Sequence, residues 1–271
     1  MPELPEVETT RRGIEPWLVG RRIERLVVRQ WRLRWRVPAS LPATLRGAAV
    51  RAVGRRAKYL LVETDAGTMI WHLGMSGSLR VMPADAPPLA HDHVDLVLDS
   101  GRCLRFNDPR RFGCLLFTKG EPSRHRLLAG LAAEPLSADF DAGALWKLAR
   151  GRKASIKAFI MDAHAVVGVG NIYASEALYR AGIRPRTAAG RVSRARMAAL
   201  VAAIRDVLSE AIEVGGTTLR DYVDADGAPG YFARKLFVYE RRGKPCRRCR
   251  TPIRQFTQGS RSTYWCPRCQ R

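Results

Sequence analysis

Four cysteines near the C-terminus constrain this chain more than any other feature. They stand as Cys246-x2-Cys249 and Cys266-x2-Cys269, with sixteen residues between the inner pair. This is the spacing of a four-thiolate zinc site. Each C-x2-C wraps one side of a tetrahedral ion, and a short hairpin between them closes the other. Four thiolates leave no open coordination position, so the single Zn2+ is expected to be structural. Two disulfides are the alternative. They are disfavoured because the start, MPELPEVETT, is acidic and lacks the basic region and apolar stretch of an export signal. Cys103 and Cys114 lie in apolar, strand-like runs and read as buried small hydrophobes.

The chain has 271 residues, with 47 Lys and Arg against 25 Asp and Glu, a formal charge of +22. Arginine supplies 40 of the 47 cations. A GC-rich genome exchanges Lys for Arg, but it does not create a surplus of positive charge. A field of this size suits a polyanion, and nucleic acid is the default partner. Hydrophobic residues make up 46% of the chain, too many for a disordered tail. No run approaches the ~18 consecutive apolar residues of a membrane span. The expectation is a monomeric, cytoplasmic protein of one or two domains with no membrane partner.

Periodicity predicts a helix directly after Pro2, with Leu4, Val7, Ile14 and Leu18 on one face and Gly20 as its stop. Short strand-like runs follow: 23–28, 50–53, 59–64, 68–72, 78–81, 93–98, 103–106 and 114–118. Asp65-Ala66-Gly67 and Asp99-Ser100-Gly101 read as hairpin turns. So many short strands with little helix between them predict a sandwich or barrel. Beyond a boundary near Leu127–Ser137 the pattern turns helical, over 142–150, 154–161, 172–181 and 193–214, with Ser193 as an N-cap. The Gly-rich stretch 167–171 lies between two of these helices, and Thr217–Tyr231 reads as an exposed loop. The fold class is α+β.

If the initiator Met is removed, Pro2 presents a secondary amine. An α-amine titrates near 8 and a lysine near 10.4, so the neutral fraction at pH 7 is larger by roughly two orders of magnitude. A helix beginning at once disfavours the ammonium further, while Glu3 and Glu6 act in the opposite sense. Attack on a sugar C1′ gives an iminium, which acidifies the adjacent carbon and permits strand elimination. Glu3 is placed to act as proton donor on the same sugar. Taken alone, Pro2-Glu3 is usually just a helix N-terminus with favourable acidic charge.

Residues 1–8, MPELPEVE, resemble the opening of the formamidopyrimidine-DNA glycosylase family, which repairs 8-oxoguanine in bacteria. Similar strings recur in order: GRRAKYL (54–60), HLGMSG (72–77), HDHVD (91–95), NDPRRFG (107–113), GVGNIYASE (168–176) and RSTYWC (261–266). The resemblance implies an N-terminal helix with a β-sandwich (1–130), a helix–two-turns–helix domain (131–220), and a lesion-capping loop with a zinc β-hairpin (221–271). It implies that Pro2 forms the Schiff base and Glu3 is the general acid, with Glu6 supporting the pocket. It assigns Lys58 to proton transfer and to phosphates flanking the lesion, and Arg261 to phosphate binding and δ-elimination. His91, Arg110, Lys153, Lys157 and Asn171 would line the DNA path. The implied activity is a bifunctional glycosylase and AP lyase that removes oxidised purines from duplex DNA.

A stacked base is out of reach of Pro2, so it must be flipped out, and a wedge filling the hole offsets part of the unstacking cost. Met75, Arg110 and Phe112 suit such a wedge, as a pliable apolar filler, a cation for the orphaned base, and a ring. Without the resemblance, Met75 and Phe112 fit core packing better, and the wedge reading leans on the family pattern and on the turns marked by Gly74, Gly77 and Pro109. His91 and His93 are expected to alternate on a strand and so not to share a metal. His72 reads as a strand residue near the wedge, and His125 and His164 as surface residues. Trp31 and Trp35, among arginines, read as an edge strand or turn with the cations in solvent. Two departures from the family pattern stand out: Ala163-His164 where a polar pair is expected, and Arg250 where a glycine is usual. An endonuclease VIII-like enzyme for oxidised pyrimidines is one alternative, against which Leu4, Met75 with Phe112, and the 217–231 loop all count. A non-enzymatic zinc-ribbon DNA binder is the other.

Overall fold

The computed structural model describes residues 2–216 and 235–271; the 217–231 loop expected from the sequence lies outside them. The described residues divide into two compact units, 2–129 with 214–216, and 130–213 with 235–271.

The first unit opens with helix α1 (Leu4–Leu18), which buries Leu4, Val7, Ile14 and Leu18. It stops as expected: Val19 caps it in extended geometry, and Gly20 follows at φ +80°. Eight strands come next: β1 (Ile23–Val28), β2 (Val50–Arg56), β3 (Tyr59–Thr64), β4 (Gly67–His72), β5 (Ser78–Pro83), β6 (Asp92–Leu98), β7 (Arg102–Asn107) and β8 (Cys114–Thr118). They form two antiparallel sheets, ordered β1-β6-β7-β5 and β2-β3-β4-β8. One core joins both sheets to α1: Val94, Leu96, Leu104 and Phe106 from the first, Leu60, Val62, Met69 and Trp71 from the second, with Val7, Ile14 and Leu18. The unit is a β-sandwich with a helix packed into its core.

Helix α2 (Leu41–Leu45) has no counterpart in the sequence reading. Five residues are too few to display a helical period. Trp35 sits in a turn closed by an isolated Arg32–Arg36 bridge, and Trp31 immediately precedes it. Trp31 packs against the core, and the Trp35 ring lies under the guanidinium groups of Arg34 (4.7 Å) and Arg126 (5.3 Å).

Strand β6 is buried along its whole length, so its polar residues need partners inside the protein. Asp95 pairs across the ladder with Arg105, which is 0% exposed. Arg105 donates to both Asp95 oxygens at 2.9 Å, and to the carbonyls of Ala86 (2.9 Å) and Pro87 (3.1 Å), holding the β5–β6 connection.

The second unit is helical: α3 (Ala142–Ala149), α4 (Ile156–Ile160), α5 (Asn171–Arg180) and α6 (Arg194–Glu213), followed by a hairpin of β9 (Arg254–Gln258) and β10 (Arg261–Trp265). Asp141 and Ser155 cap α3 and α4 through their side chains. Between α4 and α5 the chain makes successive turns, with Ala165 and Val166 donating to the Asp162 carbonyl. The Ala163-His164 departure leaves this turn intact: Asp162 accepts from the His164 backbone N–H and bonds its ring at 2.9 Å.

Burial pushes the Asp95 carboxyl up, but hydrogen bonds from Arg29 and Arg105 outweigh it and hold it below the usual 3.8. A depressed carboxyl stabilises the fold fully above its unfolded pKa and loses that contribution as pH falls through its folded pKa. Arg105→Met is therefore expected to cost about 3 kcal/mol at pH 7. The urea midpoint of the wild type should fall below pH 4, and that of the variant should fall less steeply.

Candidate active site and metal centre

In the first unit, Pro2 is buried and Glu3 and Glu6 are each 1% exposed. Glu3 is the N-cap of α1, and Glu6 stands at the third helical position. The Glu6 carboxylate accepts the Glu3 backbone N–H at 2.7 Å, one arm of a capping box. Gly216, at φ +81°, packs against Glu6 so closely that a Cβ there would lie 3.1 Å from the Glu6 carboxylate. Pro2 thus directly precedes the N-cap of α1, where the helix presents its positive end, and Glu6 is fixed by the capping bond and the Gly216 contact.

Lys58 lies in the two-residue turn between β2 and β3, where Arg56 pairs with Tyr59. Ala57, the first turn residue, takes φ +55°, and Arg55 donates to its carbonyl at 2.9 Å. His72 lies nearby on β4, across from Tyr59. Burial lowers its pKa to about 4, with help from the Lys58 and Arg34 charges. Its Nδ1 accepts the Gly74 N–H at 2.9 Å, which fixes the neutral ring with its proton on Nε2.

Met75 is 38% exposed and Phe112 45%, the opposite of core packing. The Arg110 guanidinium lies over the Phe112 ring at 4.7 Å. A Cβ on Gly74 would sit 2.4 Å from the Gly113 nitrogen, so the two loops touch through bare backbone. His91 is exposed and lies before β6, in a turn at φ +72°. The strand alternation expected for His91 and His93 therefore does not apply: their rings are 6.3 Å apart. His93 is buried, bonding the Asp108 carbonyl at 2.8 Å.

In the second unit, Lys157, Arg261 and Gln258 line one cavity of about 170 Å³. Lys157 is only 2% exposed. Its ammonium donates to Asn171 Oδ1 (2.5 Å), Thr263 Oγ1 (2.7 Å) and the Ser262 carbonyl (3.3 Å). Lys157, which the resemblance placed along the DNA path, is thus buried and orients Asn171, whereas Lys153 is exposed. Asn171 opens α5 and donates to the Ser262 carbonyl at 2.9 Å. Arg261 follows the tight turn Gly259-Ser260, both residues at positive φ, and projects exposed from the hairpin. The sequence reading missed Glu176 as a site residue. It is 0% exposed and accepts the N–H groups of Phe237, Val238 and Tyr239, each at 2.9 Å. A lone carboxylate in a helix whose other buried residues are apolar or hydroxyl-bearing was its only signal.

The four C-terminal Sγ atoms lie within 4.8 Å of one another. Cys249 and Cys266 are 3.4 Å apart, and Cys246 and Cys269 3.8 Å. Disulfide sulfurs sit at about 2.05 Å, whereas a tetrahedron with Zn–S near 2.3 Å places them about 3.8 Å apart. The Arg248 and Cys269 N–H groups approach Cys246 and Cys266 Sγ at 3.4 Å, and the Tyr179 hydroxyl lies 3.2 Å from Cys246 Sγ. The donor set fits one structural zinc. Arg250, in the glycine's place, is at φ +65°.

Chelation is expected to melt the β9–β10 hairpin, read as collapse of its amide chemical-shift dispersion; an intact hairpin after full metal removal would refute a structural ion. For His72, the unfolded chain takes up a proton between pH 6.5 and about 4 that the folded chain does not. This residue thus makes the fold less stable as pH falls through that window. His72→Gln should flatten the corresponding slope of urea stability against pH.

Comparison with known proteins agrees with this geometry. Residues 1–115 match the formamidopyrimidine-DNA glycosylase N-terminal domain, 131–223 its H2TH domain, and 243–271 the zinc finger found in FPG and IleRS. The chain is 60% identical over 271 residues to the formamidopyrimidine-DNA glycosylases of Syntrophotalea carbinolica and Thioalkalivibrio sulfidiphilus, covering 100% of each. It resembles the solved MutM (Fpg) protein of Thermus thermophilus, at 38% identity and TM-score 0.90, over 99% of this chain and 98% of that one. A Lactococcus lactis Fpg mutant in complex with Fapy-dG-containing DNA is similar at 31% identity and TM-score 0.93, over 99% of both chains. The wild-type Lactococcus lactis Fpg with oxidised-pyrimidine-containing DNA is similar at 31% and 0.92, again over 99% of both. With family models across most of its length and full-length relatives at 60% identity, this chain belongs to the formamidopyrimidine-DNA glycosylase family.

Proposed function

We propose that this chain is a bifunctional DNA glycosylase and AP lyase that removes oxidised purines from duplex DNA. The observation that carries the reading is the burial of Pro2, Glu3 and Glu6 together at the start of α1. Once Met1 is removed, the Pro2 nitrogen attacks C1′ of the damaged nucleotide. The base departs as the glycosidic bond breaks, and Glu3 supplies the proton that opens the sugar. The resulting iminium acidifies C2′. Loss of that proton expels the 3′ phosphate, and a second elimination expels the 5′ phosphate. Lys58, at its turn, accepts protons and holds flanking phosphates. Arg261 binds phosphate and assists the second elimination. Met75, Arg110 and Phe112 fill the hole left by the flipped base, and His91, Lys153 and Asn171 contact the backbone. A zinc held by Cys246, Cys249, Cys266 and Cys269 supplies a rigid clamp for the Arg261 hairpin and takes no part in bond making.

In this reading, residues 1–130 carry the amine chemistry, 131–220 the helical DNA contacts, and 221–271 the capping loop and zinc hairpin. The chain works as a monomer on duplex DNA in the bacterial cytosol. Among the described residues no helix is long and apolar enough to cross a membrane. The complex of the Lactococcus relative with an oxidised pyrimidine supports a second, wider reading in which pyrimidine lesions are also accepted.

Borohydride should trap the mature chain covalently on 8-oxoguanine:C duplex, with an intact mass lacking Met1, and Pro2→Gly should weaken trapping. Glu3→Gln should slow base release by roughly 10²-fold or more, while trapping on a preformed abasic site persists. Absence of any adduct from the Met1-free chain would refute the amine mechanism. Retained Met1 would favour a plain DNA binder, and equal cleavage of thymine glycol would favour the wider spectrum.

A further inference from the structure

We infer that Asp108 is the positioning residue of the base-flipping wedge, a role that rests on the assignment of Met75, Arg110 and Phe112 proposed above. Asp108 is 0% exposed. Its Oδ1 accepts the Ser76 hydroxyl at 2.9 Å and the Arg110 N–H at 3.3 Å. Its Oδ2 accepts the Gly113 N–H at 2.8 Å. These donors are the neighbour of Met75, the backbone of Arg110 itself, and the neighbour of Phe112. One carboxylate therefore ties down both loops that carry the three wedge residues.

The Asp108 backbone extends the same hub. Its N–H donates to the His91 carbonyl at 3.1 Å, and its carbonyl accepts from Arg111 N–H at 3.1 Å and bonds the His93 ring at 2.8 Å. The three loops meeting here take left-handed backbone, which Gly74 adopts freely at φ +66° and which strains His91 at +72° and Arg111 at +55°. A Cβ on Gly113 would lie 2.6 Å from the His72 carbonyl and 3.1 Å from Asp108 Oδ2, so the junction has no slack. A side chain serving only the sandwich core would not leave two large apolar neighbours in water. This one fixes the backbone on either side of Met75 and Phe112 while both project outward. The wedge is thereby set before DNA arrives, and its ordering is not charged against binding.

Asparagine has the shape of aspartate but offers one acceptor oxygen, and its amide NH2 faces either the Ser76 hydroxyl or the Gly113 N–H. Asp108→Asn should thus loosen the wedge without emptying the site. The measurement is the ratio of two single-turnover rates: excision from an 8-oxoguanine:C duplex, and cleavage of a single-stranded abasic oligonucleotide, which has no base to extrude. The ratio should fall roughly tenfold or more, since misplacement of about 1 Å in a positioning element has effects of this order. Ser76→Ala, which removes one of the three side-chain bonds, should lower it less. A 2-aminopurine beside the lesion should brighten less on binding, a signal that a purely structural role would not alter at matched thermal stability and zinc content. Met75→Ala separates the wedge assignment from the role of Asp108. If Met75→Ala lowers the ratio while Asp108→Asn and Ser76→Ala do not, the role of Asp108 is overturned. If Met75→Ala leaves the ratio unchanged, the wedge assignment fails and this inference falls with it.

Discussion

The bond from the Glu3 N–H to the Glu6 carboxylate is the contact on which the rest of the site depends. Chain termini ordinarily fray. Here the first helical turn is closed on itself, and Leu4, Val7, Ile14 and Leu18 anchor the helix inside the sandwich. Glu8 adds a lateral tie through Arg11, Arg12 and Arg55 of β2. Burial would raise the Glu8 carboxyl, but the three arginines outweigh it and hold it below its usual value. The Pro2 nitrogen inherits its position from a whole β-sandwich and not from a flexible tail.

Both units use the same device to present a cation. Lys58 sits in the Ala57-Lys58 turn, and Arg261 directly follows the Gly259-Ser260 turn. A two-residue hairpin turn is short enough to stand clear of its strands and too tight to wander. In the first unit an alanine takes the left-handed position that glycine occupies in the second, and the Arg55 bond to its carbonyl helps hold it there.

Much of this was legible because it is local. The strands 23–28, 59–64 and 114–118 announce themselves by composition and bounding turns, and their observed limits agree. The cysteine spacing encodes a ligand tetrahedron within two dozen residues. What was not legible depends on distant partners. Nothing near Lys157 says that Thr263, more than a hundred residues on, accepts from its ammonium. Nothing near Glu176 says that three amides at 237–239 converge on it. His91 escaped the strand reading because a left-handed backbone precedes β6, and one residue of offset changes which face a side chain occupies.

Arg250 sits in the zinc knuckle in a conformation that side chains avoid, at a cost of roughly 1–2 kcal/mol for an L-residue. Metal ligation in small fingers is worth about 10–16 kcal/mol, an order of magnitude more. The ion therefore makes the loop's own conformational preferences nearly irrelevant. A residue in this conformation can therefore stand here without threatening the knuckle, and Arg250 adds one more cation next to Cys249. Mutational tolerance in this hairpin is a property conferred by its metal.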